Sequence, residues 1–375
     1  MKTLILLLLI SGSVSGFAQK RLRDEGVMIG VLPTGSLNAI TDVPGVKVGH
    51  TTLIQSSAVR TGVTAILPHD GNLFQDKVPA AVYVGNGFGK LAGSTQVSEL
   101  GNLESPVILT NTLSVAAGVE AVIEHTLTQK GNESVLSVNA LVGETNDGYL
   151  NDIRGLHIKK KHVLEAIQSA SGGKVAEGNV GAGTGTTCFG FKGGIGTSSR
   201  KLPASEGGYT VGVLVQTNFG GVLQINGVPV GKKMGKYFLS DRLQDKADGS
   251  CMIVVATDAP LDARNLERLA KRAFMGLAKT GGIAANGSGD YVVAFSTATG
   301  VRIQHQAAKP TYTTTLLRND HVSALFMAAI EATEEAVINS LWAAETMTGK
   351  DGNTAMKLPQ EEVLQIMKQY KAIDK

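Results

Sequence analysis

Five short runs of apolar and β-branched residues punctuate the chain, at 80–84, 106–109, 209–215, 252–256 and 291–296. Each has Gly, Pro, Asn, Asp or Ser at or near its ends, the pattern of a buried strand. Between the last two runs the spacing predicts an amphipathic helix. Leu266, Leu269, Ala270, Ala273, Phe274 and Leu277 share one face, with Arg and Lys opposite, Asp262 placed to cap the start and Gly281 to end it. A second helix is predicted from about 321 to 342, apolar on most sides, and a third, amphipathic one over 360–372. The Gly/Ser-rich stretches 172–190 and 193–208 read as connections. Strands flanked by helices give an α/β unit with helices on the sheet faces; parallel and antiparallel pairing both fit the pattern.

The 375 residues carry 35 Lys and Arg against 32 Asp and Glu, a net charge of +3. That balance leaves no basic stripe of the kind a nucleic-acid reader needs. At 43% hydrophobic and 18% charged, the composition also excludes a disordered chain. The opening MKTLILLLLISGSVSGFAQ has a positive start, a short apolar run and small residues at Gly16 and Ala18. It reads as a signal peptide over 1–18, which predicts a periplasmic or secreted protein, with 19–375 as a single domain. No later stretch reaches the roughly 18 apolar residues of a membrane span, so no membrane contact is expected once the leader is removed.

Several chemistries lack their signatures. There is no GxSxG, CxxC or HExxH, and the glycine-rich GNVGAGTGTT at 178–187 has no following Lys of a phosphate loop. His157 and His162 are spaced off a common helix face, so neither a metal nor a cofactor is expected. Cys188 and Cys251 read as buried free thiols, with one disulfide as the alternative.

The informative segment is DGSCMIVVATDAPL at 248–261, a polar turn running into an apolar strand. A Gly–Ser bond at such a boundary can cleave itself. Glycine allows a strained, exposed carbonyl at Gly249, and the Ser250 hydroxyl can attack it. The Ser250 freed at a new N-terminus would carry an α-amine of pKa about 7.7–8.0, a base for its own hydroxyl. An ordinary turn before a strand gives the same local pattern.

Beyond that segment, SLNAITDVPGVKVGH at 36–50, GETNDGYLNDI at 143–153, GNVGAGTGTTCFGFKGGIGTSSR at 178–200, QTNFG at 216–220 and NGSGDYVVAFST at 286–297 form an ordered set of blocks. Together they resemble the DmpA/BapA family of L-aminopeptidase/D-esterases and β-peptidyl aminopeptidases, peptidase family S58. The resemblance covers nearly the whole chain after the leader. It implies an αββα four-layer sandwich, similar in layers to N-terminal-nucleophile hydrolases but differently connected. It implies cleavage at Gly249–Ser250 into chains 19–249 and 250–375, and a homo-oligomer, commonly a tetramer of the two-chain unit.

By the same resemblance Ser250 is the nucleophile and Asn218 supplies an amide to the oxyanion. Ser288 and Asp290 form a polar relay onto Ser250; some members carry Glu at the second position. Glu144 suits the ammonium of the substrate, and Asn146 and Tyr149 are the other candidates in that loop. The implied substrates are small peptides, amides or esters with a free N-terminal amine. Cys251 is set aside as nucleophile, because strand alternation turns it to the opposite face. Two other readings remain: acyl transfer like that of ornithine acetyltransferases, which use Thr, and a non-catalytic binding protein that keeps the fold.

Overall fold

A computed structural model describes residues 20–240 and 249–373. The predicted leader, residues 1–18, lies outside the described residues. Two sheets stack face to face. The first orders β1 (Lys47–Gln55), β2 (Val59–Leu67), β6 (Val107–Asn111), β7 (Leu141–Thr145) and β4 (Leu91–Ala92). The second orders β10 (Ile195–Lys201), β11 (Thr210–Asn218), β12 (Ser250–Thr257), β13 (Gly289–Ser296), β3 (Asp76–Gly87) and β14 (Ile303–Gln304), with β5 (Asn102–Leu103) also on β3. A small ladder joins β8 (Thr187–Cys188) to β9 (Phe191–Lys192).

All five predicted strands are present, and each sheet is apolar on both faces because each face is covered. Alternation along β12 makes this concrete. Met252, Val254 and Ala256 face the other sheet, meeting Val48, Ile66, Leu109 and Leu141. Cys251, Ile253 and Val255 face outward, against Leu269, Ala273 and Leu277 of α5 (Ala263–Lys279) and Ala328, Ala332 and Val337 of α6 (Ser323–Trp342). On the far side, Ala121 and Val122 of α2 (Val115–Leu127) and Val163 and Ala166 of α3 (Lys160–Gln168) cover Val63, Ala65, Ile108 and Val142. The result is helix, sheet, sheet, helix, the four layers the resemblance implied. Shorter helices, α1 (Ser94–Leu100), α4 (Val230–Met234) and α7 (Gln360–Gln369), lie at the margins.

The predicted strand–helix–strand over 252–296 is a parallel crossover: β12 and β13 run in the same direction with α5 between them. The Asp262 carboxylate caps α5 by accepting the Asn265 N–H at 2.9 Å, and Gly281 follows it at φ 90°. α6 is buried on nearly all sides, as its continuous apolar run requires.

Two sequence expectations need correction. The stretch 193–208 is not only a connection, since it contains β10, where six of seven residues are buried. Its polar side chains are satisfied inside the protein: Thr197 Oγ1 donates to Val213 O at 2.7 Å, and Ser198 Oγ to Asn38 Oδ1 at 2.9 Å. Polar composition therefore hid a core strand. Likewise α7 stops at Gln369 rather than 372, because Lys371 turns to φ 55°. Cys188 and Cys251 are buried free thiols.

Candidate active site

Three strand ends of the second sheet meet at one edge of the sandwich. Asn218, the last residue of β11, pairs with Ser250, the first of β12, and Ser250 pairs with Gly289, the first of β13. Across the gap, the first sheet presents Glu144 at the end of β7 and Thr112 just past β6. Between these ends lies a cavity of about 750 Å³, an ordinary size for a small-molecule site. Ser250, Asn218, Gly249, Glu144, Asn146 and Tyr149, all expected from the sequence, line it together.

Ser250 Oγ donates to the Gly249 carbonyl oxygen at 2.6 Å. The Gly289 N–H points at both atoms, 3.2 Å from Ser250 Oγ and 3.2 Å from Gly249 O. Gly249 packs against backbone: a Cβ there would lie 2.0 Å from Asn218 O and 2.6 Å from Phe219 Cα. Close approach alone therefore demands glycine at this position. Asn218 Oδ1 accepts the Thr187 N–H at 3.0 Å, which fixes the amide so that Nδ2, without a partner among the described residues, faces the cavity.

Asp290 lies on β13 and Ser288 just before it, both outside the cavity lining and almost fully buried. Neither hydrogen-bonds Ser250 Oγ. The Ser288 hydroxyl and both Asp290 carboxylate oxygens lack a partner in strict hydrogen-bond geometry. Burial pushes the Asp290 carboxyl up to about 6, against the opposing pull of the nearby Ser288 hydroxyl and Cys251 N–H. Cys251, in register with Asp290, has its thiol pushed well above the ordinary range by burial and by that neighbouring charge. Burial likewise pushes Cys188 up to about 12, so neither thiol offers a thiolate.

At the opposite wall Glu144 is held in place. Oε1 accepts the Lys90 N–H at 3.0 Å and lies 3.6 Å from the Lys90 ammonium, while Oε2 takes the Thr112 hydroxyl. Asn146 closes its own turn by accepting the Gly148 N–H at 2.9 Å, and Tyr149 is half-exposed at the rim. Sequence reasoning missed Lys90, Thr112, Thr187 and Gly289. Lys90 had one signal, as a lone cation in the glycine-rich GNGFGK after a predicted strand. Thr187 and Gly289 act through backbone N–H groups, which leave no side-chain signature. Among the described residues no cluster of His, Cys, Asp and Glu is arranged to hold a metal ion.

An arrangement of serine hydroxyl, amide donor and buried carboxylate suits acyl transfer. The chain is also similar to known proteins along nearly its whole length. A β-peptidyl aminopeptidase BapA from Sphingosinicella microcystinivorans is 42% identical over 387 residues, spanning 98% of this chain and 96% of that protein. A solved Burkholderia sp. β-aminopeptidase superposes with a TM-score of 0.86 at 41% identity, covering 93% of this chain and 99% of the other. The L-aminopeptidase D-Ala-esterase/amidase of Ochrobactrum anthropi, described as a prototype of serine aminopeptidases and a variant of the Ntn hydrolase fold, gives 0.85 at 35% identity over 94% and 99%. The sequence model of peptidase family S58 matches residues 38–355. The chain belongs to peptidase family S58 and is a hydrolase of peptide bonds.

Proposed function

We propose that the chain is a self-processing serine aminopeptidase that removes N-terminal residues from short peptides, amides or esters bearing a free amine. The observation that carries the reading is the Gly249–Ser250 step. There the hydroxyl that opens β12 lies 2.6 Å from the preceding carbonyl oxygen, on the cavity wall beside the Asn218 amide.

In processing, Ser250 Oγ bonds to the Gly249 carbonyl carbon, its proton passes to the departing Ser250 nitrogen, and the C–N bond breaks to leave an ester. Water cleaves the ester, giving a Gly249 carboxylate, the Ser250 hydroxyl and a new α-amine. An α-amine with a reference pKa of about 7.7–8.0 is a base matched to neutral pH. In turnover it takes the hydroxyl proton as Oγ attacks the substrate carbonyl, then returns it to the leaving amine. Water releases the acyl group by the same path. The Asn218 Nδ2 and the Gly289 N–H face the carbonyl oxygen where negative charge develops. Glu144 pairs with the substrate ammonium. Ser288 and Asp290 act from behind, polarising the Ser250 end. The leader-like first 18 residues extend the proposal to export, and the resemblance extends it to a homo-oligomer.

Intact-mass measurement of the purified protein tests the reading. Two chains of about 24 and about 13 kDa are expected, the smaller beginning SCMIV. Ser250→Ala is expected to stay uncut and inactive. A single uncut chain that still hydrolyses aminoacyl nitroanilides would overturn it.

A further inference from the structure

Among the described residues lining the cavity, Lys90 and Glu144 carry charge, one of each sign. Glu144 is nearly sealed, with 3% of its side chain exposed, whereas Lys90 is open at 56%. Their charged atoms stand 3.6 Å apart, longer than a direct charge-assisted hydrogen bond of about 2.7–2.9 Å. The pair is loosely closed, and its Lys90 end is open to solvent. Its reach to the reacting end is short. A Cβ built on Gly89 would lie 3.3 Å from Glu144 Oε1, 3.1 Å from Gly289 Cα and 3.1 Å from Tyr291 Cε2, so the Gly89 turn sits beside both the carboxylate and the start of β13.

The charge count sets what binds best. A substrate that brings only an ammonium to Glu144 must displace a cation already there and leaves Lys90 unpaired. One that brings an ammonium and a carboxylate together replaces both halves of the pair and leaves neither Glu144 nor Lys90 uncompensated. We infer that the site prefers an N-terminal residue carrying its own carboxylate beside the free amine, an aspartyl head in α- or β-linkage, with Glu144 taking the ammonium and Lys90 the carboxylate. The inference rests on the aminopeptidase reading and names its substrate class. Lys90 is here a specificity residue that touches the substrate.

The test compares aspartyl with asparaginyl p-nitroanilides, each in α- and β-linkage. The two heads are nearly isosteric and differ by one charge. In the wild-type protein kcat/KM for aspartyl should exceed that for asparaginyl by about two- to fivefold in at least one linkage. The ratio should shrink as ionic strength rises, since Lys90 is solvent-exposed. Lys90→Met should remove the aspartyl preference, and Lys90→Arg should keep it. An equal or inverted wild-type ratio in both linkages overturns the inference, as does an aspartyl preference that survives in Lys90→Met or is insensitive to salt. Failure of the underlying reading looks different: no nitroaniline release that depends on Ser250 from any substrate, alanyl nitroanilide included.

Discussion

Two buried carboxylates, Glu335 on α6 and Asp290 on β13, meet opposite fates in this molecule. Glu335 is surrounded by donors. Its Oε1 accepts Arg23 Nε at 2.8 Å and Asn38 Nδ2 at 2.7 Å, and its Oε2 accepts Arg23 Nη2 at 2.6 Å and Arg200 Nη2 at 2.7 Å. Burial pushes its carboxyl up, but the Arg23 hydrogen bond, the Arg200 and Arg23 charges and the Asn38 amide outweigh that and hold it below the usual range. Asp290 has burial without such partners and rises to about 6. The first arrangement secures packing between an N-terminal strap, β10 and α6. The second leaves an ionisable group on β13, next to the strand end that carries Ser250. Donors decide the difference: the ringed carboxylate is held in its charged form, and the one without them is pushed toward its neutral form.

The most damaging break of this contrast removes Arg200. Its guanidinium is fully buried and donates to Glu331 Oε2 at 3.0 Å, to Glu335, and to Ile29 O at 2.6 Å. Arg200→Met leaves two buried carboxylates short of a cation, a loss of about 3–5 kcal/mol. Urea unfolding should register it as a lower midpoint, while kcat per folded molecule stays near wild type. In the proposed processed form the network also spans the cut, because Arg23 and Arg200 precede residue 249 and both glutamates follow it.

The second break goes the other way. Asn218→Ala keeps the fold but removes the amide that faces the cavity, so kcat should fall by about 10²–10³ with little change in the unfolding midpoint. A stability loss matching that of Arg200→Met, with kcat intact, would mean that Asn218 serves only the strand end.

What the sequence revealed follows from the same physics. The elements β12, α5 and β13 were legible because their apolar periods are clean and Asp262 and Gly281 punctuate the helix, whereas the parallel pairing of the two strands was left open by the pattern. β10 was not, because Thr197, Ser198 and Arg200 pair with groups such as Asn38 and Glu331 that are distant in sequence. At the site, Ser250, Asn218 and Glu144 were readable through family-like blocks. The hold of Thr187 N–H on Asn218 and of Gly289 N–H on Ser250 arises only once β8, β11, β12 and β13 come together. Lys90 gained meaning only when its turn was seen to link the two sheets beside Glu144.

The gentlest test separates the two carboxylates by pH. Between the ordinary carboxylate range and about 6, the folded chain keeps a proton on Asp290 that the unfolded chain has released. Asp290 therefore makes stability fall as pH rises through that window. Glu335, held low, has the reverse sign: its contribution is present above the ordinary range and lost as pH drops. Asp290→Asn abolishes the first titration and leaves the second. Any fixed cost of burying the amide is independent of pH, so it cancels when the wild-type-to-variant difference in unfolding free energy is compared at two pH values. That difference should move in favour of Asp290→Asn by up to about 2–3 kcal/mol from pH 4 to pH 7.5, following a shift of roughly two units at 1.36 kcal/mol each. Ser288→Ala, which removes a hydroxyl that favours the ionised form, should carry the same transition to higher pH. A difference flat across that range would mean that Asp290 gains partners in solution, and the contrast with Glu335 would vanish.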